Sequence, residues 1–437
     1  MNNFNTLTYA NKNNIIVSSK ISKQRDNTVL QLILFYVFII VAIILTDKGI
    51  SLARVIAFWG ILFIAVLQKP ISIFMFMVAT LPLSHIARME NSSLTLLPFL
   101  TIILLIKIII TNKAISLNKA MPLFIIGIIS IINEIIRWSS MITSLVFIMT
   151  WLIPVFAYCI KQEINHKIVL ISFAYVISSF ISIIGSTLFP NAARMITSYT
   201  QYSYRAVGFS QAWSYGINLV IASAFILIIY KQTNKRLVLS AIAIAILLYN
   251  AILSGTFSIL IGIALVLFCF SIQTLKKEKV LLLLLIPLLF VLGYSIMKAF
   301  FQIRGDISDN GRIEIWMFYM KHLLSNFSVF MFGIGGGNIA SMASKYQMST
   351  AHNGILELLI EVGFCGTVLL ILYSKNLLRN IKLSFRKNIL SLPFLIYLSF
   401  LLTQGGASSY SIVIFISLLI SSSEQTKNQG VEQYVCK

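Results

Sequence analysis

The residues able to do chemistry crowd into one stretch of this chain. From Arg304 to Gly366 it carries Arg304, Arg312, His352, five carboxylates and the glycine run Gly333-Ile334-Gly335-Gly336-Gly337-Asn338, set between long apolar segments. An arginine's planar fork makes two parallel charge-assisted hydrogen bonds to a phosphate. A neutral histidine oriented by a carboxylate takes a proton from a hydroxyl near pH 7. Such a set suits a reaction in which a phosphate group leaves and a hydroxyl attacks.

Local patterns sharpen this. Ser308 or Asp309 reads as a cap, after which Gly311, Arg312 and Glu314 open a run with Ile313, Ile315, Trp316, Phe318 and Tyr319 at helical spacing. The spacing predicts an amphipathic helix on the membrane surface with Arg312 in its first turn, meeting either a substrate phosphate or a neighbouring acid such as Asp309 or Glu314. The glycine run predicts a hinge first and, second, a set of amides for an anion, with Gly335 among them. His352 and Asn353 stand at the mouth of an apolar helix that continues through Glu357 and Glu361, and at i, i+4 spacing these fall close to one face. Carboxylates inside a membrane helix are costly and therefore functional or paired. A histidine at a helix mouth is otherwise an ordinary interfacial residue.

A second polar stretch holds Tyr199, Tyr202, Tyr204, Arg205 and Gly208. Aromatic rings such as Tyr204 stack on sugars, and Arg205 would reach a phosphate from the opposite side of a cavity. An aromatic interface belt accounts for the tyrosines equally well, but not for Arg205. Glu134 and Arg137 are three apart and read as a local ion pair; His85 beside Arg88 is ambiguous, and His166 carries no role.

The elements that must position these groups are membrane helices. With 58% hydrophobic and 11% charged residues, the chain departs far from soluble domains, which are about 45–50% apolar and about 25% charged. Apolar runs near the roughly 20 residues a span requires fall at 29–46, 50–67, 70–87, 94–111, 121–136, 140–160, 168–188, 213–230, 237–253, 256–273, 280–297, 355–374, 389–403 and 408–422. The expected fold is an all-α polytopic integral membrane protein with about 12–14 transmembrane helices and a large outer, periplasmic loop. It divides into a cytoplasmic tail 1–28, a helix bundle 29–297 with an outer loop 189–212, the large loop 298–352 carrying the site, C-terminal helices 353–422 and a cytoplasmic tail 423–437.

The net charge of +21 is a topology signal rather than a sign of nucleic acid, because most of the 34 basic residues sit in short turns that become cytoplasmic when the N-terminus is inside. Only the loops 189–212 and 298–352 break that bias, with Arg194, Arg205, Lys298, Arg304, Arg312, Lys321 and Lys345 on the outer side. Cations held against the bias suggest an anion; long loops also translocate regardless of charge. The four cysteines (Cys159, Cys269, Cys365, Cys436) show no paired spacing, so neither disulfide nor metal is expected. No HExxH, Walker or GxSxG pattern occurs, which leaves metal-dependent, nucleotide-driven and serine-hydrolase chemistry without support. No internal repeat is evident, which counts against a secondary transporter.

Taken in order, Gly311-Arg312 with Trp316, Phe332-Gly333-Ile334-Gly335, and Ala351-His352-Asn353 with Leu356, Glu361, Gly363 and Gly366 resemble the signature region of the O-antigen polymerase and O-antigen ligase superfamily. Arg205-Ala206-Val207-Gly208-Phe209 and Leu253-Ser254-Gly255 look like its upstream elements, and the resemblance covers roughly 200–370. Thr256-Phe257 departs from it, where many relatives carry a small residue and then an arginine.

The resemblance implies an inverting membrane glycosyltransferase of the bacterial inner membrane, acting on undecaprenyl-diphosphate-linked oligosaccharide without metal or other cofactor; the distribution of basic residues predicts that both termini are cytoplasmic. Carried over, Arg205 and Arg312 clamp the diphosphate, Arg304 assists, and His352 acts on the acceptor hydroxyl; Asn353, Tyr204, Gly335 and Glu357 complete the expected substrate-binding set. The leading expectation is a surface-polysaccharide polymerase, with membrane lipid around it and room for a chain-length regulator protein as partner. A ligase moving glycan to lipid A core shares the same site. An exporter of lipid-linked oligosaccharide is the reading from another class, disfavoured because charges within spans are few: Lys107, Glu134, Glu357 and Glu361.

Overall fold

The computed structural model describes residues 27–50, 52–87, 95–111, 113, 117–137, 141–193, 208–209, 212–233, 237–253, 312–346, 351–379, 391–404 and 410–421, with isolated positions between 259 and 268. Among the described residues the regular structure is helical. Six helices are long and apolar enough to cross a membrane: Thr28–Asp47, Lys119–Ile136, Ile142–Cys159, Ile168–Leu188, Tyr215–Thr233 and Gly354–Leu378. Shorter apolar helices include Leu52–Val66, Leu96–Ile110 and Tyr410–Ser421. The expected span 256–273 is described only at isolated positions, and the expected span 280–297 and residues 1–26 and 422–437 fall outside the described residues.

Apolar surface faces outward as well as inward. Phe63 is 68% exposed and Ile110 66%, and the helices Thr28–Asp47, Leu52–Val66 and Leu96–Ile110 carry further exposed isoleucines, leucines and valines. So much outward apolar area has lipid as its natural solvent. Several buried hydroxyls are satisfied within their own helices, as an apolar medium favours: Thr80 Oγ1 donates to Phe76 O, Thr101 Oγ1 to Leu97 O, and Ser417 Oγ to Val413 O.

The run 70–87, expected to be one span, is instead an eleven-residue helix, Pro70–Thr80, followed by a 3-10 turn, Leu81–Leu83. Pro82 is the cause: it lacks an amide and its ring clashes with the carbonyl four residues earlier, so the α-helix stops before it. Every residue of Pro70–Thr80 is buried, with Phe76 stacked on Phe35 at 5.1 Å. Just beyond, His85 N donates to Phe209 O at 2.8 Å and Phe209 N donates to Ser182 Oγ at 3.0 Å. Gly208 and Phe209, the described residues near the end of the loop 189–212, therefore plug into the bundle. Gly208, at φ +58, would drive a Cβ to 2.3 Å from the Tyr215 ring.

Helix ends sort into two groups. Lys167 Nζ donates to Thr28 Oγ1 at 2.5 Å, tying the starts of Thr28–Asp47 and Ile168–Leu188; Lys113, just past Leu96–Ile110, pairs with Glu163 of the short helix Lys161–His166; and Lys119 near the start of Leu117–Arg137 lies over the Tyr158 ring near the end of Met141–Cys159. At the other end Asn191 N donates to the Asp47 carboxylate at 2.9 Å. Glu134, near the close of Leu117–Arg137, lies about 20 Å along its helix from Lys119 by helical rise, and it is at this second end that the polar site is built.

Candidate functional site

We label α1 as Arg312–Ser325, α2 as Phe327–Phe332, α3 as Ile339–Lys345 and α4 as Gly354–Leu378. The helix expected from Arg312 onward forms, with Arg312 its first residue and Glu314 in its first turn. Its inner face, Tyr319 and Leu323 with Ile315, Trp316 and Phe318 partly buried, packs on Val329, Ile334 and Ile339 and on Leu356 and Ile360 of α4. This segment thus has a small core of its own, distinct from that of the bundle.

One bond brings the two predicted catalytic positions together. Trp316 Nε1 donates to Ala351 O at 2.7 Å; Trp316 is one turn along from Arg312, and Ala351 precedes His352. Arg312, half-buried, and His352 therefore stand at the same corner, where two helices also begin. Helix starts carry partial positive charge, and each of these two has an acid in its first turn, Glu314 and Glu357.

His352 sits at φ +50, the one non-glycine residue at positive φ among the described residues. A side chain held in the left-handed region costs about 1–3 kcal/mol and persists only where its surroundings dictate it. Here they do: the preceding carbonyl is held by Trp316, and the following residue caps α4. Asn353 Oδ1 accepts from Ile355 N and Leu356 N, both at 3.1 Å. Asn353, expected to bind substrate, is thus committed through its oxygen to starting the helix.

Glu357 and Glu361 do share a face, as i, i+4 spacing requires, but it is an inward face: 6% and 1% exposed. Glu357 lies close to the wholly buried Tyr319, whose hydroxyl is pushed up to about 12 by burial and then by the Glu357 carboxylate. Glu357 N also donates to Asn353 O at 2.9 Å, in the first turn of α4. Both Glu361 oxygens are buried without a hydrogen bond, although the amides of Gly337 and Ile339 bear on that carboxyl.

Two amides of the glycine run are engaged by backbone carbonyls of α4. Ile334 N donates to Ile360 O at 2.8 Å and Gly335 N to Glu361 O at 2.9 Å. Those carbonyls are available because α4 breaks at Gly363, at φ 69 and ψ −177, into two helical pieces. The two backbones touch: a Cβ on Gly333 would lie 2.3 Å from Glu361 O, and one on Gly363 would lie 2.5 Å from Gly333 N. Gly335, expected among the substrate ligands, has spent its amide on this contact. It also abuts an acid, since its Cβ would lie 3.2 Å from Glu134 Cγ.

The Arg137 side chain, the sequence's candidate partner for Glu134, lies outside the described residues; the described partners of Glu134 are Ser144 Oγ, Asn338 Nδ2 and Thr143 Oγ1, which donate to Oε1 at 2.7, 2.8 and 3.2 Å. This wholly buried carboxylate bolts the glycine loop to the bundle. A carboxylate at that spot repels a phosphate.

Of the remaining expected site residues, Arg205, Arg304 and Tyr204 lie outside the described residues. Sequence reasoning overlooked His322, in the last turn of α1, whose ring stands 5.9 Å from Tyr346; Tyr346 is in turn edge-on to Phe318 at 5.4 Å. It also missed Tyr319 as the neighbour of Glu357 and Asn338 as the partner of Glu134. An intramembrane acid and an asparagine closing a glycine run were the available signals. Among the described residues no group of three or more His, Cys, Asp or Glu can hold a metal. Comparison with protein-family models and with curated proteins gives no match for this chain.

Proposed function

We propose that this chain is a surface-polysaccharide polymerase of the O-antigen type, a membrane-embedded glycosyltransferase working at the outer face of a bacterial inner membrane. The acceptor sugar's hydroxyl oxygen attacks the anomeric carbon of the donor glycan, the bond from that carbon to the diphosphate oxygen breaks, and undecaprenyl diphosphate departs. The hydroxyl proton passes to His352. Arg312 holds the diphosphate and stabilises the charge that develops on it; Arg205 and Arg304 join it on the strength of the family resemblance. A lipid-borne diphosphate carries its own activation, so no nucleotide is required.

What supports this reading is a single juxtaposition. The Trp316–Ala351 hydrogen bond couples the turn bearing Arg312 to the turn in which His352 is held at a strained positive φ. Strain at a polar residue beside an arginine and two helix starts is the mark of a positioned reactive group. The Asn353 cap and the buried Glu357 would keep that group in place.

The test is a glycan gel of cells lacking the gene, complemented with wild type, Arg312→Ala or His352→Ala at matched membrane expression. The polymerase reading expects lipid A core capped with a single repeat in the null strain and in both variants. Long polyprenyl-linked glycan that fails to reach the core would identify the ligase instead. Normal ladders from both variants would remove the site from this corner.

A further inference from the structure

The helix α1 presents three sectors, one of which, Tyr319 and Leu323, is buried against α2 and α4. Its exposed residues sort by chemistry into the other two. Ile313, Met317, Met320 and Leu324, between 41% and 66% exposed, follow i, i+4, i+7, i+11 spacing, which at 3.6 residues per turn keeps them within an arc of about 60°. Glu314, Lys321 and Ser325 follow i, i+7, i+11 spacing and fall in a separate arc centred about 90° away. Water on every exposed side gives no reason for that segregation; a boundary between lipid and water does.

The contacts of α2 fix where this helix lies. α2 begins two residues after α1 ends. The Phe330 ring stacks on Phe364 of α4 at 6.0 Å, and Asn133 Nδ2 donates to Phe332 O at 2.9 Å. Phe364 and Asn133 belong to Gly354–Leu378 and Lys119–Ile136, two of the helices long and apolar enough to cross a membrane. From Phe327 to Phe332 the helical rise is only about 8 Å, so the last turn of α1 is held beside the end of a spanning helix. Exposed apolar side chains accompany the whole junction, Leu324 and Phe327 on one side of it and Phe332 and Phe364 on the other.

We infer that the bilayer itself covers this sector: α1 lies along the lipid–water boundary, with Ile313, Met317, Met320 and Leu324 in the acyl region of one leaflet and Glu314, Lys321 and Ser325 at headgroup level. The long stems of Glu314 and Lys321 let their charges reach water from there. Lipid is the occupant because the sector adjoins spanning helices whose exposed apolar residues already face it. The inference does not depend on the reaction proposed above; it gives α1 a duty besides carrying Arg312, that of anchoring its segment to the membrane surface.

The experiment puts one nitroxide label at a time on the full chain in nanodiscs of phosphatidylcholine and phosphatidylglycerol. The labels enter through Met317→Cys, Leu324→Cys, Glu314→Cys or Lys321→Cys, with Cys159, Cys269, Cys365 and Cys436 changed to alanine. Collision with oxygen, which partitions into lipid, is compared with collision with a water-soluble nickel chelate. Oxygen should dominate several-fold at 317 and 324, and the chelate at 314 and 321. Chelate access at 317 and 324 would leave the sector in water. Loss of access to both reagents would give it to protein, a second copy if the labels also broaden one another. Each of these results overturns the assignment. If the cysteine-free chain does not fold, p-benzoylphenylalanine in place of Met317 in the otherwise unaltered chain decides by mass after illumination: a phospholipid adduct supports the assignment, and a crosslinked dimer or no lipid adduct overturns it.

Discussion

Two polar islands interrupt this apolar chain, the corner where Arg312 and His352 meet and the glycine loop 333–338, and they use their polar groups in opposite ways. The loop turns inward: its amides serve the carbonyls freed by the break at Gly363, and Asn338 serves Glu134. The corner gathers an arginine, a strained histidine and two helix starts, with its supporting bonds on the residues to either side of His352. In sequence the loop looks like the better phosphate site, since glycine runs often present amides to anions. A neighbouring helix kink reverses that, because in an apolar medium freed carbonyls need donors more urgently than any ligand does.

The comparison can be broken most decisively through activity. His352→Ala is expected to cut polymer formation by about a hundred- to ten-thousand-fold while folded protein in detergent stays near wild-type amounts; loss of the folded protein instead would make the corner architectural like the loop. Next in size is Gly333→Ala or Gly363→Ala. Either places a methyl against backbone in a left-handed conformation and should cost on the order of 3–5 kcal/mol, read as loss of monodisperse protein by fluorescence-detected size exclusion.

Glu134 sharpens the contrast. Removing the acceptor with Glu134→Ala strands Asn338 and Ser144 and should cost roughly 1–3 kcal/mol, measured by thermal melting, whereas Glu134→Gln retains an acceptor oxygen and should retain both stability and polymer. An inactive but stable Gln variant would move Glu134 from scaffold to chemistry. Smaller still is the cap: Asn353→Ala should lose about 1 kcal/mol and Asn353→Ser little of it, and activity should follow stability in both. A stable Ser variant without polymer would return Asn353 to the substrate. Trp316→Phe deletes one hydrogen bond worth about 1 kcal/mol, yet by loosening the His352 turn it should reduce turnover more than melting temperature.

Much of this was legible in the residues themselves. Apolar runs of spanning length and their composition determined an all-helical membrane chain, since a buried backbone in lipid has few ways to satisfy itself. Capping chemistry and periodicity placed Arg312 in the first turn of a helix, and that helix is present from Arg312 to Ser325. Even the early stop at Pro82 follows from a missing amide. What tertiary structure alone decided was where polar groups point. Glu134 finds Asn338 across 204 positions of sequence, Trp316 finds Ala351 across 35, and Gly333 meets Gly363 only because a kink and a loop share one space. Spacing along the chain constrains neighbours a turn apart; partners that far removed are selected by packing, and in this protein packing separates the glycines that shape the site from the arginine and histidine proposed to use it.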